Sequence, residues 1–272
     1  MDAKHPITLT GVPKTLLIPL LVRARYCDAP SSPVHDKLAK ELVARLDYDF
    51  DELAKHIDDV SMFMLARAWH FDRAIHAWLQ RHTLGTVVNL GAGLDTTFYR
   101  LNNDQVNWID LDLPDIISLR ESLLPPSPQI HNVAKSILDL SWIDDIKAQH
   151  ESCLFFAGGL FMYFTEAQVN SIITTMAKNF PKSQLIFDSI SSKGLYYANK
   201  MLVDSHMPNA VMHWGMDDAL DLETWSGHIK VLNKIPCYRG IKMLPGISVG
   251  NRIKMFLYDY FDSSGITHLA FE

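Results

Sequence analysis

Two hydrophobic periods divide the chain. From residue 1 to 82, apolar residues recur at spacings of three and four, which predicts amphipathic helices. The strongest run is Ile57–Arg81, where Val60, Met64, Phe71, Ile75, Trp78 and Leu79 make one apolar face. Pro30-Ser-Ser-Pro33 marks a loop between two earlier helices. From 83 to 190, short apolar runs alternate with helical stretches. The runs are Thr86–Leu90, Val106–Leu111, Gln129–Ala134, Ser152–Ala157 and Gln184–Ser189. Pro114 suits a first helical turn and opens a helix to about Leu123. A short helix is read at Trp142–Ala148. Thr165 with Gln168 forms a capping box, and Val169, Ile172, Ile173, Met176, Ala177 and Phe180 follow as one buried stripe, ended by Pro181. Strands alternating with helices pair in parallel and are covered on both faces. The prediction is one α/β domain. It has an N-terminal helical segment (1–82), a ligand-binding core (83–190), a polar, aromatic-rich insertion (191–228) and two last strands (229–272).

The first strand runs into Gly91-Ala92-Gly93. Strand, Gly-x-Gly, helix is where an open parallel sheet binds nucleotide-like ligands. Gly91 permits the tight turn, and Gly93 lets ligand atoms approach the backbone. Such turns are also common without a ligand. The second strand adds Asp110 with the adjoining Leu111, seventeen residues beyond Gly93, where a carboxylate can take both ribose hydroxyls. Asp112 is read as the cap of the helix at Pro114. Thr96 stands where a dinucleotide fingerprint has its third glycine, and no Walker lysine follows. That disfavours a pyrophosphate ligand and favours adenosine without phosphates, of which S-adenosylmethionine is the common case. Asp139 and Leu140, in the turn after the third strand, are candidates to frame an adenine. Asp139 or Ser141 serves equally well as a helix cap. Arg23 lies in an apolar segment, where a charge needs a partner, and is a candidate for a ligand carboxylate.

Composition narrows the class. The chain has 272 residues, 48% of them hydrophobic, ample for one large core. Its 25 basic and 31 acidic residues give a net charge of -6, which argues against a general nucleic-acid binder. Cys27, Cys153 and Cys237 form no CxxC pair, so neither a disulfide framework nor a metal site is expected. No signal peptide or spanning segment is read. The expectation is a soluble, cytoplasmic protein with no membrane partner, compatible with a homodimer.

Several strings together resemble a known family. Thr86–Leu101 (TVVNLGAGLDTTFYRL), Asp110–Asp115 (DLDLPD) and Leu160–Glu166 (LFMYFTE) are similar to the leucine carboxyl methyltransferase family. The likeness is closer to its bacterial branch, the tetracenomycin polyketide-synthesis O-methyltransferase-like proteins. It extends to Thr15–Leu20 with Arg23, Leu46–Phe50, and His213–Asp218 with Trp225, nearly the whole chain in order. The resemblance implies a class I, Rossmann-like S-adenosylmethionine-dependent O-methyltransferase with a seven-stranded, mostly parallel sheet and a helical lid. By position it implies that Gly91 and Gly93 line the cofactor, Asp110 holds the ribose, and Asp139 with Leu140 frames the adenine. Arg67 matches the family arginine that takes the cofactor's carboxylate, as a guanidinium does bidentately. One departure is Ala157-Gly158-Gly159. Many relatives carry Glu-Gly there, and Gly158 stands at the acidic position.

The methyl acceptor is expected to be a small molecule, taken at its oxygen. A carboxylate is already ionised at neutral pH, whereas a phenol profits from a base. His206 and His213 in the insertion and Tyr163 after the fourth strand are the groups available, and none is assigned as a base. Tyr163, Tyr197, His213 and Trp214 are acceptor-wall candidates, and Tyr196, Met201, Met207 and Met212 add apolar surface to the lid. Two alternatives stay open: a non-catalytic S-adenosylmethionine-binding protein and a nicotinamide-dependent oxidoreductase.

Overall fold

The computed structural model describes all residues except 1–3, 8, 83–84, 104, 148–151, 205–208, 243 and 245–246. His206, Met207 and the end of the helix read to Ala148 lie outside the described residues. So does the side chain of Met201.

Seven strands form one sheet: β1 (Thr86–Leu90), β2 (Asn107–Asp112), β3 (Ile130–Ala134), β4 (Cys153–Ala157), β5 (Gln184–Ile190), β6 (Ile229–Pro236) and β7 (Ser264–Phe271). Their order is β3-β2-β1-β4-β5-β7-β6, and β7 alone runs antiparallel to its neighbours. β1 and β4 are buried at every position, as expected of central strands covered on both faces. Leu90 pairs in register with Leu111 and Ala157, so β1, β2 and β4 end at one level. Their following loops therefore gather at one edge. That edge is the topological switch point, where α/β sheets bind ligands.

Helices α1 (Leu17–Tyr26), α2 (Lys37–Arg45), α3 (Phe50–Ala54) and α4 (Asp58–Leu79) precede the sheet. Between the strands come α5 (Thr97–Leu101), α6 (Pro114–Leu123), α7 (Trp142–Lys147) and α8 (Glu166–Asn179). Both halves of the Thr165–Gln168 capping box are made. The strand period of two sorts the core. Val87, Trp108, Leu154 and Phe156 pack against Phe71, Ile75 and Trp78 of α4. Val88, Ile109 and Phe155 face the other way, toward Trp142 of α7 and Ile173 of α8. Truncating a buried ring such as Phe155 to alanine costs about 3–5 kcal/mol.

The last third holds α9 (Ser192–Asp204), a 3-10 turn at Ala219–Thr224, and α10 (Val249–Tyr260) between β6 and β7. The sequence reading placed only strands after residue 228. In the fold, α10 joins α9 and the N-terminal helices over the ligand edge of the sheet. Among the described residues no helix is long and apolar enough to cross a membrane.

Candidate functional site

A cavity of about 610 Å³ opens at that edge. Its floor is the glycine turn. Gly91 sits at φ +67° and Gly93 at +46°, left-handed conformations that side chains rarely adopt. A Cβ on Gly91 would lie 2.7 Å from Leu160 Cδ1. Gly91, Ala92, Gly93 and Leu111 all line the cavity.

The acidic residue beside this turn is Asp112. It lines the cavity, and its carboxylate accepts the amides of Gly93 and Leu113, each at 2.7 Å. Burial raises its pKa above the ordinary carboxylate value, although the two amides pull the other way. Asp112 does not cap α6, whose N-cap is Leu113 with no side-chain cap bond.

Asp110 corrects the expectation made for it. It lies outside the cavity, one turn of the pleat back along β2, and is 1% exposed. Its carboxylate accepts the Trp108 indole at 2.9 Å and the Asn89 amide at 3.1 Å, and it pairs with Arg120. Arg120 in turn donates to the carbonyls of Ala92 (3.2 Å), Gly93 (2.7 Å) and Asp95 (3.0 Å). Asp110 therefore neutralises the cation that holds the glycine turn in shape.

Asp139 and Leu140 also stand away from the cavity. Asp139 is exposed and accepts the Ser141 amide at 3.2 Å, the local capping role. The wall at that level is Ser136 and Ile137. With Leu113 and Ile116 they give the mostly apolar side of the cavity.

Opposite them α4 brings in Arg67. Its guanidinium donates to Asp188 of β5 at 3.0 Å, and Asp188 also accepts the Gly159 amide at 2.6 Å. Gly159 has φ +72°, and a Cβ there would lie 2.7 Å from Arg67 Nη1. Gly158 lines the same wall, with the Phe71 ring 3.1 Å from where its Cβ would be. Phe71 thus occupies the direction a side chain at 158 would take. Arg23 lines the cavity but is committed to Asp36 at 2.8 Å and to the Leu94 carbonyl at 3.0 Å.

Tyr163 and Tyr197 line the far end with Met212, Leu202, Tyr238 and Tyr258. Burial raises the phenol pKa of both Tyr163 and Tyr238. His213 and Trp214 do not reach it. His213 is exposed, and Trp214 is buried against Phe187 in the core under the sheet. Both backbone amides bond to the Met162 carbonyl, which turns the segment away from the cavity.

Sequence reasoning missed Asp112, Ser136, Ile137 and Asp188. Asp188 carried a signal: it is a charge inside the apolar run QLIFDSI.

A family model described as leucine carboxyl methyltransferase matches residues 17–177. The chain belongs to this family. Membership makes it an S-adenosylmethionine-dependent methyltransferase and removes the oxidoreductase alternative. The chain is 30% identical over 219 residues to the tetracenomycin polyketide synthesis O-methyltransferase TcmP of Streptomyces glaucescens, covering 80% of each chain. It is 28% identical over 240 residues to the S-adenosyl-L-methionine-dependent methyltransferase dpfgK of Gibberella zeae, covering 81% of this chain and 80% of that one. A solved Streptomyces avermitilis protein of the DUF574 family shares the fold at TM-score 0.59 and 12% identity, covering 92% of this chain and all of that one.

Proposed function

We propose that this methyltransferase acts on an oxygen of an apolar small molecule, and that the oxygen belongs to a carboxylate. One observation carries the choice. Among the described residues no histidine or lysine lines the cavity, and its two carboxylates are occupied by backbone amides, Asp95 by Thr97 at the start of α5 and Asp112 by Gly93 and Leu113. Burial raises the pKa of the Tyr163 and Tyr238 phenols at the far end, which keeps these two protonated. Among the described residues no group there is suited to take a proton from a neutral hydroxyl. A carboxylate acceptor has none to give.

The residues fit the cofactor. The turn presents backbone where a Cβ is missing, Asp112 offers a carboxylate to ribose hydroxyls, and Ser136, Ile137 and Ile116 wall a flat base. Arg67 suits a carboxylate, with Asp188 fixing its orientation. The bound cofactor supplies a methyl group already activated on a sulfonium. The chain's own work is to hold the acceptor oxygen in line with that methyl and to exclude water. The apolar far end and its lid of α9 and α10 suit both tasks. The three buried free thiols, Cys27, Cys153 and Cys237, support a reducing, cytoplasmic setting.

Calorimetric titration with S-adenosylmethionine, its demethylated product and NADH tests the cofactor. The first two are expected to bind and NADH not. Absence of binding by either nucleoside at millimolar concentration overturns the reading. A panel of aromatic and aliphatic carboxylic acids beside matched phenols tests the acceptor. Methyl esters are expected, and methyl ethers alone would refute the carboxylate.

A further inference from the structure

Most of the exposed large apolar side chains sit on the two lid helices. On α10, Val249, Ile253, Phe256, Leu257 and Tyr260 recur at spacings of four, three and one, so they share one side of the helix. Phe256 is 66% exposed and Tyr260 71%. Met255 and Asp259, on the opposite side, face the protein: Met255 is buried, and Asp259 accepts the Tyr238 amide. Arg252 and Lys254 flank the apolar stripe and are exposed. The outer side of α9 repeats the composition, with exposed Tyr196 and Val203 alternating along the helix with Lys193 and Lys200. Lys193 lies 5.9 Å over the ring of Phe261, which joins the two surfaces.

Cations outnumber acids along the two apolar stripes. Among the described residues none of the four cations forms an ion pair with a carboxylate. The nearby carboxylates with described contacts are engaged: Asp259 as above, Asp262 with Lys234, and Asp217 with the Ser192 amide and hydroxyl; α9 also ends in an acid, Asp204. The chain as a whole is acidic, with a net charge of -6, so this basic face stands against the average.

We propose that the α9–α10 face docks on an anionic lipid surface. An amphipathic helix with an aromatic and aliphatic stripe between cations lies in the plane of a bilayer interface, its rings in the acyl boundary and its cations at the headgroups. Lysine and arginine stems reach along apolar surface to do this. A second copy of the chain fits the face less well. A two-fold axis through the middle of this stripe, near Ile253, would set Arg252 and Lys254 close to the same residues of the partner, and like charges so placed are costly. Tyr197 on α9 is exposed and Tyr258 turns to the inner side of α10, and both line the cavity, so the cavity mouth adjoins this face. Docking would bring the cavity mouth to the bilayer, where apolar acids collect. That consequence rests on the acceptor reading above; docking itself does not.

Vesicle sedimentation tests docking without turnover. The whole chain is spun with vesicles of equimolar phosphatidylglycerol and phosphatidylcholine, and with phosphatidylcholine alone, at low and high salt. Binding to the anionic vesicles is expected to exceed binding to the neutral ones roughly tenfold and to fall with salt. The double variant Ile253→Glu, Phe256→Glu should lose it, and Arg252→Glu with Lys254→Glu should weaken it, each with an unchanged circular dichroism spectrum. Three results overturn the proposal. Wild type stays in the supernatant with both vesicles. Both variants bind as wild type. Or wild type elutes as a dimer that Phe256→Glu dissociates, which gives the face to a second copy.

Discussion

The Asp112 carboxylate accepts the Gly93 amide at 2.7 Å, tying the end of β2 to the glycine turn after β1. Its second oxygen takes the Leu113 amide. Both bonds leave lone pairs directed at the cavity that Asp112 lines. Asp112→Asn keeps the size, removes the charge and leaves one oxygen to accept where two accept now. It should weaken S-adenosylmethionine by about 1–3 kcal/mol, as for a lost charged hydrogen bond. Titration calorimetry reads this directly. Wild-type affinity in the variant would sink the ribose role. Because burial raises the pKa of Asp112, wild-type affinity should also fall with acid earlier than for an ordinary carboxylate, and Asp112→Asn should flatten that fall.

Asp110 should behave in the opposite way. Its removal leaves Arg120 buried without a counter-charge, a loss of about 3–5 kcal/mol for a broken buried pair. Asp110→Ala is therefore expected to lower the urea midpoint sharply, and Asp112→Asn, which gives up one of two amide bonds at a half-buried side chain, to lower it less. Affinity also falls in Asp110→Ala, through Arg120 and the carbonyls of Ala92, Gly93 and Asp95. The two variants are separated by stability. Equal midpoints would contradict this division of labour.

These two aspartates mark what could be read from the sequence. The string DLDLP told that an acid ends β2, and the alternation of strands and helices told the sheet. What it lacked was the last rung. Asp110 and Asp112 point to the same side of a strand, since side chains alternate, and differ only in how far along they stand. The sequence reading ended the strand at Leu111; it ends at Asp112. The same slip put the expected wall at Asp139-Leu140 while the cavity is lined by Ser136-Ile137, because loop geometry carries no period. Asp188 was missed for a different reason. Its partner Arg67 lies 121 positions away, and local patterns do not report such pairs. Trp214 was misplaced because an aromatic residue is equally good as core and as pocket wall, and here it packs on Phe187.

Gly158 and Gly159 are neighbours with different tolerance. At Gly159 the positive φ and the 2.7 Å approach to Arg67 combine. Gly159→Ala should cost about 1–3 kcal/mol in backbone strain and displace Arg67 from Asp188. At Gly158 a methyl group meets only the Phe71 ring at 3.1 Å, which a shift of a few tenths of an ångström relieves. Gly158→Ala should therefore keep cofactor affinity within roughly threefold, well under a 1 kcal/mol change. Thermal melts and titrations of both variants check the order. A milder effect at 159 than at 158 would show that Arg67 is not held as described.

His268 on β7 gives a pH prediction. It is part-buried, bonds Gln184 at 2.9 Å, and burial lowers its pKa from 6.5 to about 4. In the unfolded chain it titrates at its ordinary value. Between these two pKa values the unfolded state binds more protons, so stability falls as pH drops from about 6.5 toward 4, and this loss levels off below. The shift corresponds to on the order of 2 kcal/mol after allowing for partial exposure. Urea unfolding across this range should show a steeper loss in wild type than in His268→Gln, whatever the offset between them at neutral pH. The offset reports the lost Gln184 bond; the slope reports the imidazole. Parallel curves would mean that His268 is as readily charged in the fold as outside it.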